Sequence, residues 1–263
     1  MNSRKIPKWL LWTSWLRMMF FQMTSQSFDR GYTNAFTGAM SPILRYLYKE
    51  HPDADQRIRE GLNRTRNYYL CEQSFSGVAF AIIVGMEERL ANGEPISGEM
   101  IAATRSSIIG PMSGLGDTIH GSTTRQLAVA LTIPFCLLGN WKAAFLMLIF
   151  LNISPFAVAF LGVPKGYQEG SSFVLKLVKS GLIQKIAPVV SSAYMFLFGT
   201  IASRFLTQNL KDISVKLPVN SYLLAFITGI LIYLYNVMLA KKIKPNWLVL
   251  GSLIIGTLLA FFA

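Results

Sequence analysis

The chain alternates between long apolar runs and short polar clusters, and the run lengths change along it. Residues 127–138, 143–163, 186–202, 222–240 and 247–263 are apolar blocks, several of them approaching the ~20 residues that cross a hydrocarbon core as helix. The second is interrupted by Asn152, Ser154 and Pro155, and Gly139, Asn140, Trp141 and Lys142 separate it from the first. Residues 68–86 are apolar behind a polar head of Glu72, Gln73, Ser74 and Ser76; the fully apolar part is short for a span and predicts a re-entrant or buried helix. Residues 87–99 read as a hydrophilic turn with Glu87 and Glu88 in solvent.

The N-terminal pattern differs. Residues 9–28 mix Trp, Phe, Met and Leu with Gln22, Thr24, Ser25, Gln26 and Ser27, which predicts an amphipathic helix at a membrane surface or on a partner subunit. Residues 37–48 predict a second helix with Pro42 near its start. Residues 53–66 predict a polar helix with Ile58 and Leu62 on one side and Arg57, Arg59, Arg64 and Arg66 around it. That helix is either solvated near anionic headgroups or a docking face for an acidic partner. Residues 165–185 form a basic amphipathic stretch with Lys176, Lys179 and Lys185.

Composition supports a membrane protein. The chain is 52% hydrophobic and only 14% charged, against about 25% charged in soluble domains. The expected fold is all-α, a multi-pass integral membrane protein with broken or re-entrant helices and an amphipathic N-terminal region. It divides into N-terminal interfacial helices (1–66), a transport core (67–163) and C-terminal membrane helices (164–263). The net charge of +12 is scattered in short clusters between apolar runs, as cytoplasmic loops require, so a nucleic-acid face is excluded. Lys241, Lys242 and Lys244 place their loop inside and the C-terminus outside; residues 165–185 then fall inside, and 204–216 outside despite their bases. Cys71 and Cys136 fit neither a metal spacing nor a disulfide framework.

The chemistry concentrates between Gly110 and Arg125. Gly110, Pro111, Gly114 and Gly116, with Gly121 beyond, predict that no regular helix passes undisturbed, because glycine weakens a helix and proline removes a donor. At membrane depth the freed backbone groups need protein or water partners, so such a break is a place to hold a solute. Asp117 is the first candidate, either facing a cavity or partner or capping a helix from Thr118. His120 shares its face if helix resumes, and is a hydrogen-bonded core histidine, a sugar-hydroxyl ligand or a phosphocarrier. Arg125 pairs with Asp117 or a partner's carboxylate, or anchors at the interface. Glu72 and Gln73 either accept from solute hydroxyls or serve the start of their helix. With only two histidines no metal cluster is expected, and neither a phosphate loop nor a nucleophile elbow is present, so no cofactor or self-contained catalytic site is expected.

Gly110-Pro111-Met112-Ser113-Gly114-Leu115-Gly116-Asp117 resembles the Met-Gly-Pro-Leu-Ala-Gly-Ile-Gly-Asp signature of the D subunit (component IID) of mannose-family sugar phosphotransferase systems. Arg17, Phe20, Gln22 and Ser25, Pro42 before Leu44, Leu47 and Tyr48, Met86-Glu87-Glu88, and Thr123 with Arg125 agree in order and spacing. The resemblance implies a bacterial cytoplasmic-membrane subunit that pairs with a membrane C subunit (IIC), as a larger oligomer of C–D pairs in lipid, to carry a sugar inward. It implies soluble A and B components that relay phosphate from phosphoenolpyruvate, and no phosphohistidine in this chain. Two segments depart from the family. Tyr68-Tyr69-Leu70-Cys71-Glu72-Gln73 stands where many members have Phe-Phe-Asn-Thr followed by Pro, and residues 120–126 stand for Phe-Trp-Gly-Thr-Leu-Arg-Pro. Both departures favour an amino sugar, a uronic-acid-containing sugar or a sugar–amine conjugate over glucose or mannose. The rival readings are a stand-alone secondary transporter, against which no internal repeat is seen, and a membrane scaffold without a solute site.

Overall fold

The computed structural model describes residues 4–137 and 139–181, with helical positions at Lys185, Val189, Ser192, Ile230, Leu234, Val237, Met238 and Gly251. Residues Met1–Tyr194 make one compact unit and Met195–Ala263 a second. The expected spans 186–202, 222–240 and 247–263, and the lysine loop between the last two, lie outside the described residues apart from those positions. The described elements are helical, joined by isolated bridges at Ser27–Gly31 and Gly31–Tyr69.

The first unit is assembled around α4 (Gln73–Ala91), which packs against α1 (Lys8–Gln22), α2 (Thr33–Tyr48), α5 (Gly98–Gly116) and α7 (Lys142–Glu169). A helix apolar on every side has no face for water, and α4 from Ser74 to Glu87 is buried throughout. It ends at Asn92 and Gly93, whose φ of 81° turns the chain. The stretch expected to be a re-entrant or buried helix is thus a buried one. α2 adds Phe36, Met40, Ile43, Leu44 and Leu47 at helical spacing; for Ile43 and Leu44, both fully buried, about 1.5–3 kcal/mol each is the usual gain over water. Pro42 lies in the interior of α2, not near its start.

α1 lies on α7 through ring contacts, Trp12 on Phe160 at 5.3 Å and Trp15 on Phe156 at 6.1 Å between centroids. α7 is the one helix among the described residues long and apolar enough to cross a bilayer. Its 28 residues measure roughly 42 Å, and Phe145, Leu146, Leu148, Ile149, Ile153, Phe160 and Leu161 are exposed along it. The interruption expected at Asn152, Ser154 and Pro155 does not break it. Asn152 Nδ2 donates to the Leu148 carbonyl at 2.7 Å, folding the amide back onto its own helix. The basic stretch that follows resolves into the end of α7, a turn at Gly170 (φ 61°) and the short amphipathic α8 (Ser171–Lys179).

Two expectations are corrected. The hydrophilic turn starts later than the sequence suggests, and Glu87 is not in solvent: its side chain is 0% exposed inside α4. Arg64, the last residue of α3 (Ala54–Arg64), donates to it through Nε at 3.0 Å and Nη2 at 2.7 Å. Glu88, half-buried, accepts from the Ile6 backbone N–H and the Tyr167 hydroxyl. The second correction concerns Gly110, Pro111, Gly114 and Gly116. α5 runs through all four as regular helix, opened by Ser97, whose hydroxyl accepts from the Met100 N–H at 3.1 Å. Two interior glycines and one proline cost about 5 kcal/mol of propensity. Burying Ile101, Ile108, Met112 and Leu115 on one stripe offsets that at about 1.5–3 kcal/mol each.

The disturbance comes directly afterwards. Residues Asp117–Thr124 form a π-helical segment, here π1, before α6 (Arg125–Leu137) resumes. The Arg125 N–H reaches back five residues to the His120 carbonyl. The hydroxyls of Thr123 and Thr124 reach five residues back in the same way, to Thr118 O at 2.7 Å and Ile119 O at 2.8 Å. The hydroxyl run after Gly121 therefore bonds back along the wider coil.

Candidate functional site

Glu72, just ahead of α4, caps that helix. Its Oε2 accepts from the backbone N–H groups of Ser74 at 2.9 Å and Phe75 at 3.3 Å, and its Oε1 accepts from the Ser74 hydroxyl at 3.2 Å. Its own N–H donates to Ser113 Oγ on α5 at 3.2 Å. Gly116 explains how close the two helices come: a Cβ there would lie 2.0 Å from Glu72 Oε2 and 2.7 Å from Glu72 Cβ. The helix-start role foreseen for Glu72 is what the geometry displays. The carboxylate remains half-buried at the meeting of α4, α5 and π1.

This contact separates the glycines by function. Gly116→Ala is expected to cost about 1–3 kcal/mol, as overpacking does, seen as a lower thermal midpoint in detergent. Gly114 has open space where its Cβ would sit, so Gly114→Ala is expected at or above the parent midpoint. Equal midpoints for the two variants would contradict the assigned contact.

His120 sits on π1 with its ring buried, its Nδ1 hydrogen-bonded to Ser154 Oγ of α7 at 2.8 Å. That is the core-histidine reading of the sequence. One ring nitrogen is engaged and the residue is only 7% exposed. Asp117 is not a cap: its backbone is helical (φ −60°, ψ −35°) and its N–H is already bonded to Gly114 and Ser113 carbonyls. Its side chain is exposed and lies over Gly121, one turn on, whose missing Cβ would be 4.0 Å from Oδ1. The Thr118 hydroxyl is bonded to Gly114 O at 2.8 Å. Arg125 is exposed, and among the described residues no ion pair joins it to Asp117.

Gln73 is on the wall of a cavity of about 230 Å³ between α1, the start of α4 and the middle of α7. The geometry therefore gathers Glu72, Gln73, Gly116 and His120 around the junction of α4, α5, π1 and α7, and leaves Asp117 and Arg125 facing outward. Among the described residues no group of three His, Cys, Asp or Glu gathers as a metal site would.

Three neighbours of this junction are not marked as such by the sequence. Ser154 was legible only as an interruption of an apolar run, and Ser113 lies inside the glycine-rich signature without standing out. Arg105 is the third, buried at 1% exposure on α5 with its guanidinium 4.8 Å from the Phe36 ring and 4.9 Å from the Tyr69 ring. It donates to the Asn67 carbonyl at 3.0 Å and so holds the segment that delivers Glu72. Its single signal in the sequence is a charge flanked by Thr104 and Ser106, a few residues ahead of the glycine-rich signature.

Residues 5–263 match the model of the PTS system mannose/fructose/sorbose family IID component. The mannose-specific EIID component of Escherichia coli K12 is 24% identical over 255 residues, covering 92% of this chain and 88% of the relative. The fructose permease IID component of Bacillus subtilis is 26% identical, with 98% and 96% covered. The sorbose-specific EIID component of Klebsiella pneumoniae is also 26% identical, covering both chains completely at 100%. Among solved structures, a membrane protein matches with a TM-score of 0.68 at 23% identity over 97% of this chain and 96% of that one. A chain of the mannose transporter ManYZ in complex with microcin E492 matches with a TM-score of 0.58 at 24% identity and the same coverage. At those identities the two structures establish the fold alone. With the family model spanning nearly every residue, the chain belongs to the mannose/fructose/sorbose family of PTS IID components.

Proposed function

We propose that this chain is the membrane D subunit of a phosphoenolpyruvate-dependent sugar phosphotransferase system, forming with a C subunit the permease that passes a sugar inward for phosphorylation by soluble A and B components. The match to the IID family over residues 5–263 carries the reading. The mannose transporter ManYZ supplies the fold precedent. The chain sits in the bacterial cytoplasmic membrane as a multi-pass protein with its C-terminus outside, in an oligomer of C–D pairs, with 1–66, 67–163 and 164–263 as interfacial, core and C-terminal regions. The long apolar α7 supports membrane insertion.

The polar junction supplies the chemistry. A carboxylate exposed on a helix continuous with apolar segments needs water or a partner chain beside it. Asp117 meets that description on π1, with Glu72 and His120 near it as the inner wall. Glu72, Gln73, Thr118, His120 and Arg125 are the other groups offered to solute or to the C subunit. Alternating access then moves one bundle against another around this point. The segment departures at 68–73 and 120–126 favour an amino sugar, a uronic-acid-containing sugar or a sugar–amine conjugate.

Asp117→Asn tests the reading. It keeps the shape and removes the charge, so uptake by the C–D complex is expected to fall about tenfold or more, as loss of one charge-assisted hydrogen bond does. Membrane insertion and co-purification with the C subunit should persist. Uptake equal to the parent's would remove Asp117 from the transport path.

A further inference from the structure

The outer side of α7 changes character toward its C-terminal end. Ile153, Ala157, Leu161 and Lys165 are all exposed and follow one another four residues apart, so they line one ridge of the helix. The ridge rises about 18 Å from Ile153 to Lys165, against roughly 15 Å of hydrocarbon in one leaflet. Cations gather where its apolar part ends. Glu169, one turn beyond Lys165, accepts from Lys176 Nζ of α8 at 2.7 Å, and Lys179 lies one turn along α8 from Lys176. Arg89, in the last turn of α4, donates to the Gln168 carbonyl at 3.0 Å. The two acids beside them are engaged, Glu169 by Lys176 and Glu88 by the Ile6 N–H and the Tyr167 hydroxyl. Among the described residues Lys165 and Lys179 have no carboxylate partner. α8 is divided in the same way. Val174 is buried and Phe173 and Leu177 pack on the core, while Leu175 is 60% and Val178 41% exposed beside the lysines.

We propose that this corner of α7 and α8 is a site for one anionic phospholipid. Lys165 and Lys179 hold the headgroup phosphate, and an acyl chain runs along Ile153, Ala157 and Leu161. The site lies outside the sugar path and needs only the membrane insertion of α7. Lysine stems cover apolar surface and carry the ammonium into the headgroup layer. Basic stretches beside membrane helices face the cytoplasm, and the cytoplasmic leaflet is the one with anionic lipid. The charge and the ridge together select the occupant. An acidic soluble protein or a free phosphate ion would match the lysines and leave the apolar ridge leading to them uncovered. A zwitterionic lipid would cover the ridge and leave the excess of cations over acids uncompensated. An anionic lipid answers both.

The test uses the purified C–D complex in detergent, with dioleoyl phosphatidylglycerol and dioleoyl phosphatidylcholine as probes read by native mass spectrometry. Phosphatidylglycerol is expected to bind the parent about tenfold more tightly than phosphatidylcholine. Lys165→Gln and Lys179→Gln should each weaken phosphatidylglycerol binding about fivefold and leave phosphatidylcholine binding unchanged. A second measurement reads the ridge. In phosphatidylcholine vesicles, Leu161→Trp adds an emission that brominated phosphatidylglycerol should quench more strongly than brominated phosphatidylcholine at the same mole fraction. Equal binding of the two lipids by the parent overturns the proposal, as do lysine variants that bind phosphatidylglycerol as the parent does. Displacement of phosphatidylglycerol by inorganic phosphate assigns the lysines to a free anion and overturns it. An added emission that neither lipid quenches shows the ridge covered by protein and overturns it too. The permease reading stands in each of these cases, because sugar uptake decides it separately.

Discussion

Alanine at Gly85 is expected to uncouple α4 from α7. A Cβ there would lie 2.4 Å from the Tyr167 carbonyl oxygen and 3.3 Å from its carbon, and a main-chain carbonyl cannot rotate aside as a side chain can. The seam brings small residues together: Gly85 on α4, and Gly162 and Gly166, four apart, on α7. At Gly162 a Cβ would meet Val78 Cγ2 at 2.6 Å, and at Gly166 the Val78 carbonyl at 3.1 Å. Helices in lipid gain little from hiding apolar surface from each other, so close backbone approach through small residues is what associates them. Overpacking costs about 1–3 kcal/mol where side chains can yield, and this site is expected at or beyond the upper end. Separation of the helices also releases Arg89 from the Gln168 carbonyl and Glu88 from the Tyr167 hydroxyl. The measurement is the thermal midpoint and the folded yield in detergent. A parent-like midpoint for Gly85→Ala would show that the seam is looser than the structure has it.

Arg64→Ala is expected to have a comparable effect by another route. It leaves the Glu87 carboxylate, 0% exposed, without its partner. Removing one member of a buried pair costs about 3–5 kcal/mol, because the remaining charge stays desolvated. Arg64→Lys should recover only part, since a single ammonium cannot reproduce the two-point contact at 3.0 and 2.7 Å. Arg64→Met combined with Glu87→Leu should recover most of the loss. That pattern is what distinguishes an ion pair from two independent packing residues. A double-mutant cycle gives the coupling directly, and a value below about 0.5 kcal/mol would contradict the assigned pair.

Run lengths and local periodicity showed most of the helices. Residues 53–66 were expected as a polar helix and α3 is Ala54–Arg64, because Ile58 and Leu62 mark one face and Pro52 lies just before the start. The all-helical class followed from the same pattern, and the IID family from the signature around Gly116. What escaped depends on residues remote along the chain. Glu87 reads as a turn acid because its partner is 23 residues away. Ser154 reads as a helix interruption because His120 is 34 residues away. The glycine-rich stretch looked like a break because local propensity was weighed without the burial of Met112 and Leu115 that opposes it. The wider coil has no marker in propensity, although the threonines that serve it are adjacent in sequence.

That coil bears on how this chain is compared with its relatives. A hydrogen bond reaching back five positions encloses one residue more than one reaching back four. A relative whose corresponding segment is ordinary α-helix can therefore be superposed beyond Arg125 only with a one-residue gap between Gly116 and Arg125. Equating residues there without the gap turns each one by about 100° around the axis. The position assigned to the imidazole of His120 would then point to a different neighbour.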